Sequence, residues 1–164
     1  MHEHSLELMK NFKDTYLDKK QKYSIVDIGS RKVNGKLTYK DIFNYSNWKY
    51  TGADIVAGHN VDLILADPYI WNISNNSYNV CISGQCLEHV PDLFRWIKEV
   101  YRIVKDGGYV CVIAPWKWEY HRAPVDCWRI MSDGMDYLLG SVAKFKVLEA
   151  RMVENDCIGI GKKI

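Results

Sequence analysis

Two histidines and the carboxylates near them, Glu88-His89 and His121 with Asp126, are the groups of this sequence best suited to moving protons near neutral pH. His89 precedes Val90-Pro91-Asp92, where a histidine serves equally well as a capping or packing residue. His121 lies in a tryptophan-rich stretch, with Asp126 five residues on as a group able to orient its ring. Trp116, Trp118 and Trp128 in that stretch suit either an acceptor platform or the packing of a lid. Asp54 and Asp67 each close a short apolar run. An aspartate there either ends a strand or accepts hydrogen bonds from a ligand, and two at successive strand ends after Gly29 favour ligand contact.

These groups need a frame that brings them to one place. Tyr78-Asn79-Val80-Cys81-Ile82-Ser83-Gly84 and Gly108-Tyr109-Val110-Cys111-Val112-Ile113-Ala114-Pro115 read as buried strands. Between them Leu93, Trp96, Ile97, Val100, Ile103 and Val104 recur at helical spacing, opened by Pro91-Asp92 and stopped by Gly107-Gly108. The unit is βαβ. Its right-handed crossover places residues 85–89 and 116–129 on one rim of a parallel sheet, where ligands bind.

The flanking sequence continues the alternation. Leu6, Leu8, Met9, Phe12, Tyr16 and Leu17 form a helical stripe over residues 3–19. Residues 23–29 are a strand, followed by a polar loop through Gly35 and a helix over 39–45. Strands follow over 49–54 and 61–66. The connection 55–60 is too short for a crossover helix, so a trimmed sheet edge is expected. At the tail, residues 145–150 and 157–161 are strands joined by too little chain for a helix and must pair antiparallel. Gly159-Ile160-Gly161 reads as a closely packed strand, not a phosphate loop.

Composition limits the classes. The chain has 164 residues, 48% hydrophobic and 26% charged, and is read as one soluble domain over 1–164. No run approaches the roughly 20 apolar residues of a membrane span, and Met1-His2-Glu3-His4 leads into mixed charge, so a cytoplasmic location is expected. A net charge of +2 from scattered lysines gives no reason to expect nucleic acid. Five cysteines without Cys-x-x-Cys spacing read as reduced and structural, and no metal is expected.

Val26-Asp27-Ile28-Gly29-Ser30, Tyr50-Thr51-Gly52-Ala53-Asp54-Ile55, Asp67-Pro68-Tyr69, Leu87-Glu88-His89-Val90 and Arg102-Ile103-Val104-Lys105-Asp106-Gly107-Gly108 occur in this order. The set resembles the class I S-adenosylmethionine-dependent methyltransferases, in their type 11-like small-molecule branch. The resemblance covers nearly the whole chain after the first helix. It implies an α/β, Rossmann-like, mostly parallel sheet with helices on its faces, closed by a C-terminal antiparallel hairpin, a single compact domain with trimmed helices. His121 to Arg129 is also similar to a segment of bacterial members associated with saccharide pathways.

The resemblance implies S-adenosylmethionine as cofactor and a role for each matched residue. Asp27, Gly29, Ser30 and Arg31 would surround the methionine end, with Arg31 standing in for the further glycines usual there and pairing with the carboxylate. Asp54 would accept the ribose hydroxyls and Asp67 the adenine amino group, with Ile55, Pro68 and Tyr69 or Ile70 beside the ring. Ser83, Gly84 and Gln85 would line the sulfonium side. His89, His121 and Asp126 are the candidate catalytic groups for a small-molecule or saccharide acceptor. Thin cover on one sheet face points to a homodimer or a wide acceptor site. Two other readings remain: a non-catalytic subunit of the same fold, and a nicotinamide oxidoreductase, which the missing Gly-x-Gly-x-x-Gly after Gly29 disfavours.

Overall fold

The computed structural model describes residues 3–32 and 37–164, so part of the polar loop expected through Gly35 lies outside them. The described residues build a seven-stranded sheet in the order β3-β2-β1-β4-β5-β7-β6. Strands β1 (Tyr23–Ile28), β2 (Trp48–Asp54), β3 (Leu63–Ile64), β4 (Tyr78–Gly84) and β5 (Val104–Pro115) run parallel. β6 (Lys146–Val153) and β7 (Asp156–Lys162) form the expected antiparallel hairpin, and β7 lies between β5 and β6. The sheet is mixed in the expected way.

Alternation along the strands sends two sets of side chains to opposite faces. On one face Ile25, Val80, Ile82, Cys111, Ile113, Ile158 and Ile160 meet helix α1 (Glu3–Tyr16) through Leu8, Met9 and Phe12. On the other, Val26, Ile28, Cys81, Val110, Val112 and Ala114 meet helix α2 (Leu93–Ile103). The Asp92 carboxylate caps α2 by accepting from the Arg95 N–H at 3.0 Å. Leu93, Trp96, Ile97, Val100 and Ile103 form its buried stripe.

Several boundaries differ from expectation. The helix over 39–45 is a single 3-10 turn, Tyr39–Asp41, closed by Asp41 accepting from the Thr38 N–H at 2.7 Å. The strand over 61–66 shrinks to Leu63–Ile64 because the Asp62 carboxylate is turned back to accept the Gly52 N–H at 2.8 Å. Gly107-Gly108 does not stop α2. The helix ends at Ile103 and β5 begins at once, while the glycines fill a shift in the β4–β5 register that Gly107 enters at φ +78°. A further helix not read from the sequence, α3 (Ser132–Asp136) continuing as a π-helical turn (Tyr137–Val142), covers the hairpin. Gly159 lets it approach, since a Cβ there would stand 2.4 Å from Met135 Cγ.

The connections from β2 to β3 and from β3 to β4 carry no helix, so that end of the sheet is trimmed as expected. The strand order reverses between β1 and β4, the place where ligands bind in open α/β sheets.

Candidate active site

The turn leaving β1 is built around Gly29, whose φ of +80° suits glycine. Gly29 and Ser30 both donate their N–H to the Ala53 carbonyl, at 2.9 and 3.1 Å. A Cβ on Gly29 would stand 2.5 Å from Cys86 Sγ, so the turns after β1 and β4 touch here. Below the turn runs a polar chain that the sequence reading missed. The Tyr50 hydroxyl donates to Asp27, Asn60 Nδ2 lies 3.3 Å from that hydroxyl and 3.0 Å from the Ser30 carbonyl, and Ser30 Oγ donates to the Asn60 carbonyl at 2.8 Å. Burial pushes the Asp27 carboxyl up to about 7, partly offset by the Tyr50 hydrogen bond.

Asp54 accepts the Arg31 N–H on one oxygen at 3.1 Å and the Val56 N–H on the other at 3.0 Å. It therefore joins the loops after β1 and β2 while staying partly exposed. Asp67 accepts from the N–H groups of Tyr69 and Ile70, at 2.7 and 2.9 Å, in a tight turn that exposes Pro68 and Ile70. Ile55 is exposed beside Asp54. The Arg31 stem lies against Gly58.

At the end of β4 the expected liners divide. Ser83 is buried and donates to the Ile28 carbonyl at 2.8 Å, so its side chain ties β4 to β1 and does not line a cleft. The Tyr39 ring lies on Gly84, where a Cβ would meet its hydroxyl at 1.9 Å; that hydroxyl is 2.5 Å from Ser5 Oγ of α1. Gln85, at φ +57°, donates its side-chain amide to buried Asp156 at 2.8 Å, joining the rim to the hairpin.

The proton-transfer candidates do converge. His89 and His121, 32 positions apart, meet edge to face with ring centroids 4.9 Å apart. Their segments are sewn together: the Glu88 carbonyl accepts the N–H groups of Cys127 at 2.7 Å and Trp128 at 3.3 Å. The Trp128 indole donates to the Val90 carbonyl at 2.9 Å, and His89 Nδ1 meets the Val125 carbonyl at 2.6 Å. Burial lowers the pKa of His89, which favours its neutral ring.

Asp126 has another first partner than expected. Arg129 grips it through two nitrogens at 2.6 and 2.8 Å, and the His121 N–H donates to it at 2.7 Å, with the His121 ring nitrogen at 3.5 Å. The guanidinium holds this carboxyl well below the ordinary range, and the pair ties the loop bearing His121 to Arg129. Glu88, which the sequence sets beside His89, is fully buried, and among the described residues neither of its oxygens has a hydrogen-bond partner. Burial pushes its carboxyl up to about 7. Trp118 and Trp128 are partly exposed beside this cluster, and Trp116 donates its indole N–H to the Glu154 carbonyl at 2.8 Å.

The strand order, the hairpin and the glycine turn after β1, which lies beside Asp54 and meets the turn after β4 at the switch point, define the class I S-adenosylmethionine-dependent methyltransferase architecture. The chain belongs to the methyltransferase domain family, whose model matches residues 1–139. It is similar to a demethylmenaquinone methyltransferase of Listeria monocytogenes, 35% identical over 65 residues; these are 40% of this chain and 26% of that protein. Among solved structures it resembles the 1,6-didemethyltoxoflavin-N1-methyltransferase of Burkholderia thailandensis. The TM-score is 0.77 at 14% identity, covering 98% of this chain and 79% of that one. A SAM-dependent methyltransferase of Methanosarcina mazei matches at TM-score 0.70 and 16% identity, covering 93% and 97%. At those identities the likeness is one of fold.

Proposed function

We propose that this protein transfers the methyl group of S-adenosylmethionine to a small-molecule or saccharide acceptor, releasing S-adenosylhomocysteine. The observation that carries this reading is that one rim brings together the Gly29 turn, joined to Asp54 through the Arg31 N–H, and the His89–His121 cluster. The first is suited to the cofactor and the second to an acceptor.

In this reading the methionine end lies over the turn of Gly29, Ser30 and Arg31, with Asp27 beneath holding the turn through Tyr50 and Asn60. Asp54 accepts the ribose hydroxyls. A carboxylate has about four acceptor sites, so Asp54 keeps its two backbone amides while doing so. Asp67 accepts from the adenine amino group between Ile55 and the Pro68–Ile70 turn. Gly84 and Gln85 face the sulfonium. The acceptor enters beside His89 and His121. As its nucleophilic atom attacks, the S–CH3 bond breaks with its electron pair passing to sulfur, and the acceptor's proton leaves toward an imidazole. The protein's main work is to hold the reacting atoms in line and exclude water.

Thermal unfolding with ligands tests the cofactor half. S-adenosylhomocysteine at about 100 times its Kd should add about 2.7 kcal/mol of stability, whereas NAD should add none. Equal stabilisation by NAD, or none by S-adenosylhomocysteine, would refute the reading.

A further inference from the structure

We infer that Glu88, His89 and His121 form a three-ligand site for a zinc-class divalent cation, open on the side where the acceptor enters. One ligand atom from each residue lies within 4.8 Å of the other two. Tetrahedral ligands about 2.0 to 2.2 Å from a zinc ion stand roughly 3.3 to 3.6 Å apart, so closure asks the ligand atoms to approach by up to about 1.5 Å, shared among side chains on short rotatable stems.

Two independent features point to a ligand in that space. The first is Glu88 itself. Its carboxylate is fully buried, and its closest cationic candidate, His89 Nε2, stands at 3.6 Å, too far for a hydrogen bond. A buried carboxylate without a partner is costly, and an ion between it and the imidazoles removes that cost. The second is how the two rings are held. His89 Nδ1 lies 2.6 Å from the Val125 carbonyl, and His121 Nδ1 lies 3.1 Å from the Glu119 carbonyl with Asp126 behind it at 3.5 Å. A carbonyl only accepts, so each Nδ1 carries the proton, and in the neutral ring Nε2 is the nitrogen with the lone pair. Metal-binding histidines are oriented in this way, the far nitrogen donating to a carbonyl or carboxylate.

The frame is set before any ion arrives. The backbone bonds from Cys127 and Trp128 to Glu88, and the Arg129 grip on Asp126, fix the loop bearing His121 against the turn bearing the other two ligands. Two imidazoles and one carboxylate select zinc, cobalt, iron or manganese over magnesium or calcium, which prefer all-oxygen shells. The His121 side chain is 39% exposed, which leaves the outer side of the site accessible to a fourth ligand.

What the ion does there rests on the methyl-transfer reading. A hydroxyl of the acceptor takes the open position and is acidified by coordination, and its proton passes to bulk water. The oxygen then takes the methyl group as the S–CH3 bond breaks toward sulfur. With the ion in place the two imidazoles act as ligands and no longer take the acceptor's proton, as they would without it, and the preferred acceptor is one that offers an oxygen nucleophile.

The test uses the full chain stripped with a chelator, then titrated with Zn2+ in equilibrium dialysis and with Co2+ by visible absorption. One equivalent should bind, with the cobalt bands of a four- or five-coordinate site. His121→Ala and Glu88→Gln should each weaken binding by at least about 10-fold. S-adenosylhomocysteine binding by His121→Ala, within about threefold of wild type, shows that the variant is folded. Absence of stoichiometric binding, or binding unchanged in the His89→Ala/His121→Ala double variant, overturns the inference. Metal binding without S-adenosylhomocysteine binding would leave the site standing and remove the methyl-transfer reading, and the converse would do the opposite.

Discussion

Asp54 is doubly committed: it holds two backbone amides and is the proposed ribose acceptor. Replacing it with alanine should therefore weaken S-adenosylhomocysteine binding roughly 10-fold to 150-fold, as expected for loss of a charge-assisted hydrogen bond of about 1.5 to 3 kcal/mol. Calorimetric titration measures this, and unchanged affinity in a folded variant would place the ribose elsewhere. Asp27 makes a different prediction. Tyr50, Tyr39 and Asp54 face it, none is cationic, and burial raises its carboxyl to about 7. The folded state thus holds a proton that the unfolded chain releases above about pH 4. Its contribution to stability is greatest below pH 4, falls by about 1.4 kcal/mol for each unit as pH rises toward 7, and is level beyond. Asp27→Asn removes the titration, so its melting temperature should gain on the wild type between pH 4 and 7. A constant difference across that range would show that Asp27 is ionised in the fold. From sequence, Asp27 is legible as part of a motif, but its partner Tyr50 and the Asn60 side chain behind that hydroxyl are not, because these contacts are made across strands and a loop.

Among the elements, those whose pattern repeats were legible and those set by one side chain were not. The α2 stripe of Leu93, Trp96, Ile97, Val100 and Ile103 and the apolar runs of β4 and β5 announce themselves by spacing. The short β3 and the lone turn at Tyr39 depend on where Asp62 and Asp41 place their carboxylates. The π-helical turn at Tyr137–Val142 also has no clean period, with Leu138 and Leu139 adjacent and Gly140 following. In the candidate site, both histidines and the carboxylates near them could be named from the chain, whereas the isolation of Glu88 could not, because a carboxylate's lack of partners is a property of the packed molecule. Lys163 is a similar case. Its buried ammonium donates to the carbonyls of Tyr101 and Val104 at 3.1 and 2.9 Å and to Asn76 at 2.8 Å, pinning the α2–β5 junction to the strand after the hairpin turn. Lys163→Met should cost about 2 kcal/mol or more by orphaning those carbonyls, lowering the melting temperature roughly 4 to 8 °C. A scanning calorimeter checks it, and a shift below a degree would mean the carbonyls find other donors.

At the scale of the molecule, the two halves of the sheet have different duties. β1, β2 and β4 carry the turns proposed to hold the cofactor, and β5 with the hairpin carries the wall that bears His121, through the loop after Pro115 and the Gln85–Asp156 bond. Among the described residues no helix is long and apolar enough to cross a membrane. The position of β7 also governs how the molecule comes into being. On the ribosome, β5 is made well before the strand that flanks it, because residues 156–162 follow both the loop and α3. Until they emerge, Val110-Cys111-Val112-Ile113 presents an unpaired apolar edge, the kind of surface on which nascent chains associate. Synthesis of this protein thus contains a vulnerable interval, opening when β5 leaves the exit tunnel and closing only when β7 slides in beside it.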